Sequence, residues 1–327
     1  LHWDVPEHRE LILSQELPPA ATWVFDEIHK YRPWRNYLKG MYDAASGARR
    51  ILVTGSGRLD SYCVGGDSLK GRYRYLRLHP FSVAELGGGS QRDFLDLLNL
   101  GGFPEPFLRG SVAAARAWSL TNRTRVIRED AAELEGTLDL DDLERLATRL
   151  PQLVGSPLSL RAVRDELQVD QDAIASWMDV LERLCVVFRV PPIGAPRLRA
   201  AKKGHKHYQF DWSVVPDEAA RFENLVASHL LKWVDHEQDT RGRDVELCYF
   251  RDVSGRAVDF VLVEKGVPFE AIACSLTERP VNPALAYLRQ RFRGLETFQI
   301  AAFGENEHEA PDGARMCSAV TYLSRLV

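Results

Sequence analysis

Long apolar runs, paired cysteines and an excess of either charge are all missing from this chain of 327 residues. No stretch approaches the ~18 apolar residues that cross a bilayer as a helix, and the start Leu1-His2-Trp3-Asp4 has neither the basic nor the apolar segment of a secretory leader. A spanning helix is excluded, and a cytoplasmic address without membrane partners is expected. The 5 cysteines, Cys63, Cys185, Cys248, Cys274 and Cys317, are widely spaced, odd in number and without a CxxC pair, which speaks against a disulfide framework and a structural zinc site. Lysine and arginine total 42 against 46 acids, a net charge of −4, so any polyanion surface must be local. What remains is an ordinary globular composition in a length that suits about two domains.

The first third reads as an α/β layer. Trp23-Val24-Phe25 runs into Asp26-Glu27, and Ile51-Leu52-Val53-Thr54 ends in Gly55-Ser56-Gly57; both have the look of buried strands. Between them Trp34, Leu38 and Met41 or Tyr42 recur at helical spacing after Pro33. The alternation in Tyr73-Arg74-Tyr75-Leu76-Arg77-Leu78, closed by His79-Pro80, predicts a third strand. Parallel strands joined by helices put their carboxyl ends on one ligand-binding edge, where Asp26, Glu27, Thr54 and Ser56 fall. Nucleotide hydrolysis needs one carboxylate for Mg²⁺ and one to orient water, roles that suit Asp26 and Glu27 respectively. Thr54 or Ser56 could then touch the γ-phosphate or the water. The bland alternative is an acidic pair at a helix start, where carboxylates favour the dipole.

The strings Trp23 to Lys30, Trp34 to Gly40, Ile51 to Gly57, Ser68 to Arg72, Leu78 to Ser82 and Gly101 to Pro106 together resemble one branch of the AAA+ ATPases. That branch joins the ATPase to a carboxy-terminal region of uncharacterised function with a winged helix and a restriction-endonuclease-like module. The resemblance implies Walker B roles for Asp26 and Glu27, a sensor role for Thr54 or Ser56, and γ-phosphate contact by Arg72, across a subunit boundary if the protein is a homo-oligomer. It implies ATP and Mg²⁺ as cofactors. No GxxxxGK[ST] occurs in the sequence, so the backbone amides, Lys and hydroxyl of the phosphate loop have no counterpart. Leu1 opens as if mid-domain, and the loop is expected before it, lost by truncation or disorder.

The middle third is helical. Ala113 to Trp118 and Val126 to Leu134 suggest a lid beside the nucleotide edge. Leu143 to Leu150, Ser159 to Leu167 and Gln171 to Leu184 follow, with Asp141 or Asp142, Ser159 and Asp170 as caps. Three short helices before Val186 to Val190 resemble a helix-turn-helix with a wing. The third helix carries Asp172, Asp179 and Glu182, which argues against simple major-groove docking. Arg161 and Arg164 on the second helix, and Arg197, Arg199, Lys202, Lys203 and Lys206 in an acid-free stretch, could instead take DNA phosphates. A solvated loop, or a winged helix that binds protein, fits those residues equally well.

The last third carries an amphipathic helix around Arg221 to Lys232, then strands at Glu246 to Arg251, Val258 to Val263 and Pro268 to Ala273. This order resembles the PD-(D/E)xK nuclease core, in which a helical Glu, a strand Asp and an ExK collect a metal. Glu223 and Asp259 fit the first two positions, whereas Ala273 and Ser275 stand where Glu and Lys belong. Glu270 lies nearby but faces with Ile272. A structural remnant is the reading favoured by ligand count.

The expected fold is therefore α/β: a P-loop or AAA+ parallel-sheet core lacking its phosphate loop (1–90), a helical lid (91–135), a winged helix with a basic loop (136–208) and an inactive nuclease-like domain (209–327). The expected activity is Mg-dependent ATP hydrolysis that remodels a protein or nucleic-acid partner. A non-catalytic nucleic-acid- or protein-binding scaffold and a metal-dependent nuclease are the competing readings.

Overall fold

Along Thr22–Asp26 (β1) Phe25 is sealed while Val24 faces outward, the alternation of a strand covered on one side. It pairs in parallel with Arg50–Thr54 (β2), in register from Thr22↔Arg50 to Asp26↔Thr54. The computed structural model describes residues 1–45, 49–55, 71–87, 89–131, 139–194, 204–304 and 307–327, which form two units, Leu1–Tyr75 and Leu76–Val327.

In the first unit, Pro6–Ser14 (α1) opens with proline at its first turn, and Trp34–Ala45 (α2) connects the two strands. Trp34 and Leu38 point from α2 onto Phe25, Ile28 and Ile12 to make a small core, as the helical spacing predicts. Leu1 to Trp3 lie beside β1, with the Asp26 N–H on the Leu1 carbonyl at 2.8 Å and the Trp3 N–H on the Asp26 carbonyl at 3.0 Å. Both backbone groups of Asp26 are thus held by that segment. The strand expected over Tyr73 to Leu78 is not seen: residues 73–78 are irregular, and Leu78 is fully exposed.

In the second unit, residues from Arg77 to Glu85 run as a strap along a helix, Glu218–Arg241 (α9 in chain order). Arg77 reaches Asp235 at 2.6 Å and Asp239 at 2.7 Å, His79 Nε2 meets Asp235 at 2.7 Å, and the Lys232 ammonium donates to the Pro80 carbonyl at 3.0 Å. Val83 donates its N–H to His229 Nε2 at 3.0 Å, and Glu85 pairs with Lys232. Alternate residues from Arg77 to Glu85 dock on the helix without forming a strand.

Gln91–Leu100 (α3), Pro104–Arg109 (α4) and Val112–Arg125 (α5) follow, α5 running on through a π-helical turn, Val126–Ala131. Phe94, Leu97 and Leu98 of α3 share a core with Phe222, Leu225 and Tyr322, so the start of the segment expected to be a lid is packed inside the second unit. Leu140–Arg149 (α6), Leu160–Leu167 (α7) and Gln171–Arg183 (α8) enclose a separate core of Leu143, Leu146, Val163, Ile174, Trp177 and Leu181. Ser159 and Asp170 cap α7 and α8 as expected; α6 is capped by Asp139, whose carboxylate accepts from the amides of Asp141 and Asp142. An antiparallel hairpin, Val187–Val190 (β3) and Lys206–Gln209 (β4), closes this part.

Asp217 caps α9 and Gly242, at φ 64°, ends it. Beyond it come Val245–Arg251 (β5), Ala257–Glu264 (β6), Val267–Ser275 (β7), Pro283–Arg291 (α10), Glu296–Ala301 (β8), His308–Glu309 (β9), Arg315–Ser318 (β10) and Ala319–Leu323 (α11). The strands form one sheet in the order β5-β6-β7-β8-β10-β9, antiparallel from β5 to β7 and parallel between β7 and β8. Phe260, Leu262, Ile272 and Phe298 pack with α9; Val261, Val263, Ala271 and Ala273 pack with α10. Burial on both faces explains the near-continuous apolar runs of β6 and β7.

Candidate functional site

The carboxyl edge of β1 and β2 brings Asp26, Glu27 and Thr54 together. Their register places Asp26 opposite Thr54, and the Thr54 hydroxyl donates to Asp26 Oδ1 at 2.7 Å. The second Asp26 oxygen lies 3.8 Å from His2 Nε2. Glu27 adopts φ 56°, a left-handed conformation that costs a residue with a Cβ free energy, and its N–H is held by the Thr54 carbonyl at 3.1 Å. Its carboxylate sits 3.6 Å from His29 Nε2 and 3.7 Å from the Lys30 ammonium. His2 and His29 were not singled out by sequence reasoning, since a histidine beside an acid in space leaves no mark in spacing.

Mg²⁺ that is shared with nucleotide phosphates typically needs only one or two carboxylates. Asp26, half-exposed with one oxygen fixed by Thr54, has the chemistry of such a ligand. No cluster of three or more His, Cys, Asp and Glu side chains suited to a metal occurs among the described residues. Ser56 lies outside the described residues. Arg72 is not brought to this edge: it pairs with Asp43 at 3.0 Å, in the last turn of α2, which runs from the carboxyl edge back toward the start of β2.

A second cluster lies wholly within the second unit. Lys206 of β4 places its ammonium 2.9 Å from Glu223 Oε1 on α9 and 3.7 Å from Asp259 Oδ1 on β6. The Tyr208 hydroxyl donates to the same Glu223 oxygen at 2.7 Å, and the Cys274 N–H donates to Asp259 Oδ2 at 2.8 Å. The Lys206 ammonium also lies 5.5 Å from the ring centre of Tyr249. Burial, reinforced by Asp259 and offset by Lys206, raises the Glu223 carboxyl to about 7. Burial works against a charged Lys206, yet Glu223 and Asp259 outweigh it and hold its pKa above the ordinary value. Burial and then Asp259 push the Cys274 thiol well up.

Several expectations change here. Lys206 does not face solvent with the cations expected to take DNA phosphates: only 7% of it is exposed and two carboxylates engage it. Glu270 is not part of the Glu223–Asp259 cluster: its carboxylate binds Tyr322 and, at 2.7 Å, Arg325. The strand that faces Glu223 presents Cys274 rather than Ala273, which packs on the α10 side; the ExK frame is shifted by one residue and still holds no Glu or Lys. Of the other cations proposed for nucleic acid, Arg161 is exposed on α7 and Arg164 bonds Asp165 at 2.9 Å. Arg197, Arg199, Lys202 and Lys203 lie outside the described residues. On α8, Asp179 and Glu182 are drawn back onto Arg189 of β3.

Residues 4–87 match a family described as an AAA domain, and residues 91–221 match a domain of unknown function (DUF8612). The first match supports a P-loop-type ATPase region in the amino-terminal unit and, at that coarse level, nucleotide binding. Curated proteins and solved structures gave no match. No described helix is long and apolar enough to cross a membrane.

Proposed function

We propose that the first unit is the Walker B half of an ATP-hydrolysing site and that the chain uses ATP turnover to remodel a macromolecular partner. The observation that carries this is the Asp26–Thr54 hydrogen bond across a parallel strand pair, with Glu27 beside it in a left-handed conformation. Asp26 would hold Mg²⁺, which supplies charge neutralisation at the phosphates when bound. Glu27 would orient water and take up its proton, Thr54 would fix the metal carboxylate, and Arg72 would act on the site of a neighbouring copy. The reading requires a phosphate loop, and no GxxxxGK[ST] stands among the 327 residues.

The test is ATP turnover and binding in the full-length protein. Glu27→Gln should retain ATP binding while turnover falls by ~10²- to 10⁴-fold, the usual cost of losing a general base. Asp26→Ala should weaken Mg-dependent binding. Normal turnover by Glu27→Gln would replace this reading with that of a non-catalytic scaffold.

For the second unit we propose a winged-helix-like part, α6 to β4, joined to an inert nuclease-like core. Three helices with a following hairpin support the first, and the order α9, β5, β6, β7, α10, β8 supports the second. Incubation with plasmid DNA and Mg²⁺ or Mn²⁺ should leave the DNA intact. Cleavage that Asp259→Ala abolishes would make the second unit a nuclease instead.

A further inference from the structure

Glu223 and Asp259 come from elements far apart in sequence, yet both turn their carboxylates onto one point, and that point is filled by a side chain of this chain. We propose that the pair forms a cation site whose resident cation is the Lys206 ammonium, which closes the site to divalent metals. The proposal is independent of the nucleotide reading, since every residue concerned lies in the second unit.

Three observations carry it. The ammonium bridges both carboxylates, at 2.9 Å and 3.7 Å, and its side chain is only 9% exposed. A divalent ion would need the same oxygen lone pairs and would stand beside a positive charge in a poorly solvated place. Two further donors hold the acids in place: Tyr208 bonds Glu223 Oε1, and the Cys274 N–H bonds Asp259 Oδ2. Behind Glu223 the backbone of Gly155 is so close that a Cβ there would lie 3.2 Å from Oε2. Gly155 has φ +88°, so both its conformation and this approach call for glycine.

Lys206 is fixed at its backbone. It pairs with Val190 in the β3–β4 hairpin, its backbone bridges to Pro157, and His205 beside it accepts the Leu158 N–H at 3.0 Å. The flanking Tyr208 is fully buried on the same face of β4. The lysine stem therefore starts from a fixed backbone position facing the acid pair. Once the ammonium is gone, two facing carboxylates are left with no counter-charge, which is the donor set a hard divalent cation takes.

Mn²⁺ titration without nucleotide, followed by calorimetry, tests this. Wild type and Asp259→Asn should bind equal amounts of Mn²⁺, because the acid pair is already occupied. Lys206→Ala should gain one further equivalent, Lys206→Arg should not, and Lys206→Ala with Asp259→Asn should lose the gain. A folded Lys206→Ala that gains nothing would overturn the proposal, as would a loss of Mn²⁺ on going from wild type to Asp259→Asn. If Lys206→Ala fails to fold, the comparison of wild type with Asp259→Asn decides alone: equal binding supports the resident ammonium, and reduced binding refutes it.

Discussion

Thr54 donates its hydroxyl to Asp26 Oδ1 across the β1–β2 register, so the orientation of one site carboxylate is set by the neighbouring strand. A hydrogen bond to a charged group typically contributes ~1.5–3 kcal/mol. Thr54→Val keeps the β-branched shape and removes that bond, whereas Thr54→Ser keeps the bond. Turnover in the full-length protein should fall about 10- to 100-fold in the valine variant, by that range of free energy, and stay within a few-fold of wild type in the serine variant. Loss in the serine variant with normal turnover in the valine variant would assign the effect to the methyl group instead.

Lys206→Met preserves length but leaves Glu223 and Asp259 without their cation. Breaking one partner out of a buried pair typically costs ~3–5 kcal/mol, and urea unfolding of the second unit should show a loss of that size. Adding Glu223→Gln and Asp259→Asn to Lys206→Met should recover much of it, since the triple variant buries no uncompensated charge. No recovery would mean that the lysine stem, rather than its charge, supports the hairpin.

His207 and His229 are buried and held neutral, with pKa values lowered to about 4 chiefly by burial. His229 accepts the Val83 N–H at Nε2 and therefore donates from Nδ1 to the Leu225 carbonyl, which uses both nitrogens in the neutral form. In the unfolded chain each histidine takes a proton near pH 6.5, so stability should fall as pH drops from about 6.5 toward 4, by up to ~1.4 kcal/mol per pH unit for each histidine. Glu223, raised to about 7, works the other way: between about pH 4.5 and 7 the folded state holds a proton that the unfolded state sheds. Two histidines outweigh one carboxyl. Urea midpoints measured from pH 7 to 4.5 should decline, and less steeply in His229→Gln.

DNA binding should be sequence-tolerant, because Asp179 and Glu182 of α8 are tied to Arg189 and its acids offer no base-reading donors. Lys202 and Lys203 are the test residues, with the buried Lys206 set aside. Replacing both with Ala should flatten the plot of log affinity against log salt by up to about 1.8, at ~0.9 per phosphate contact. An unchanged slope would direct attention to protein partners.

Periodic elements were legible from sequence: α2 and α6 to α9 carry apolar spacing that matches what they bury. The runs ending at Asp26 and Thr54 form the expected strands, but these are not buried throughout, since Val24 and Leu52 face outward. Asp26 and Thr54 could be placed on one edge because parallel strands align their ends. Lys206 could not be read, because its burial depends on carboxylates 17 and 53 positions onward, brought in by α9 and β6. The strand Lys206-His207-Tyr208-Gln209 is polar on both faces, which resembles a solvated edge until its partners are known. The ExK frame failed for a related reason. Sealed on both faces, β7 gives no alternation from which to tell the α9 side from the α10 side.

The strap on α9 has a consequence for how modules can be exchanged. The AAA family match extends to residue 87, yet the second unit begins at Leu76, and Arg77, His79, Pro80, Val83 and Glu85 are fastened to α9. A fragment cut after residue 87 would carry these residues away, leaving Asp235 without Arg77 and His79 and removing Val83 from a buried core. The transplantable seam lies near Tyr75–Leu76, so a foreign ATPase module grafted there would inherit the native strap, while one grafted at residue 87 would have to bring a strap that fits this helix.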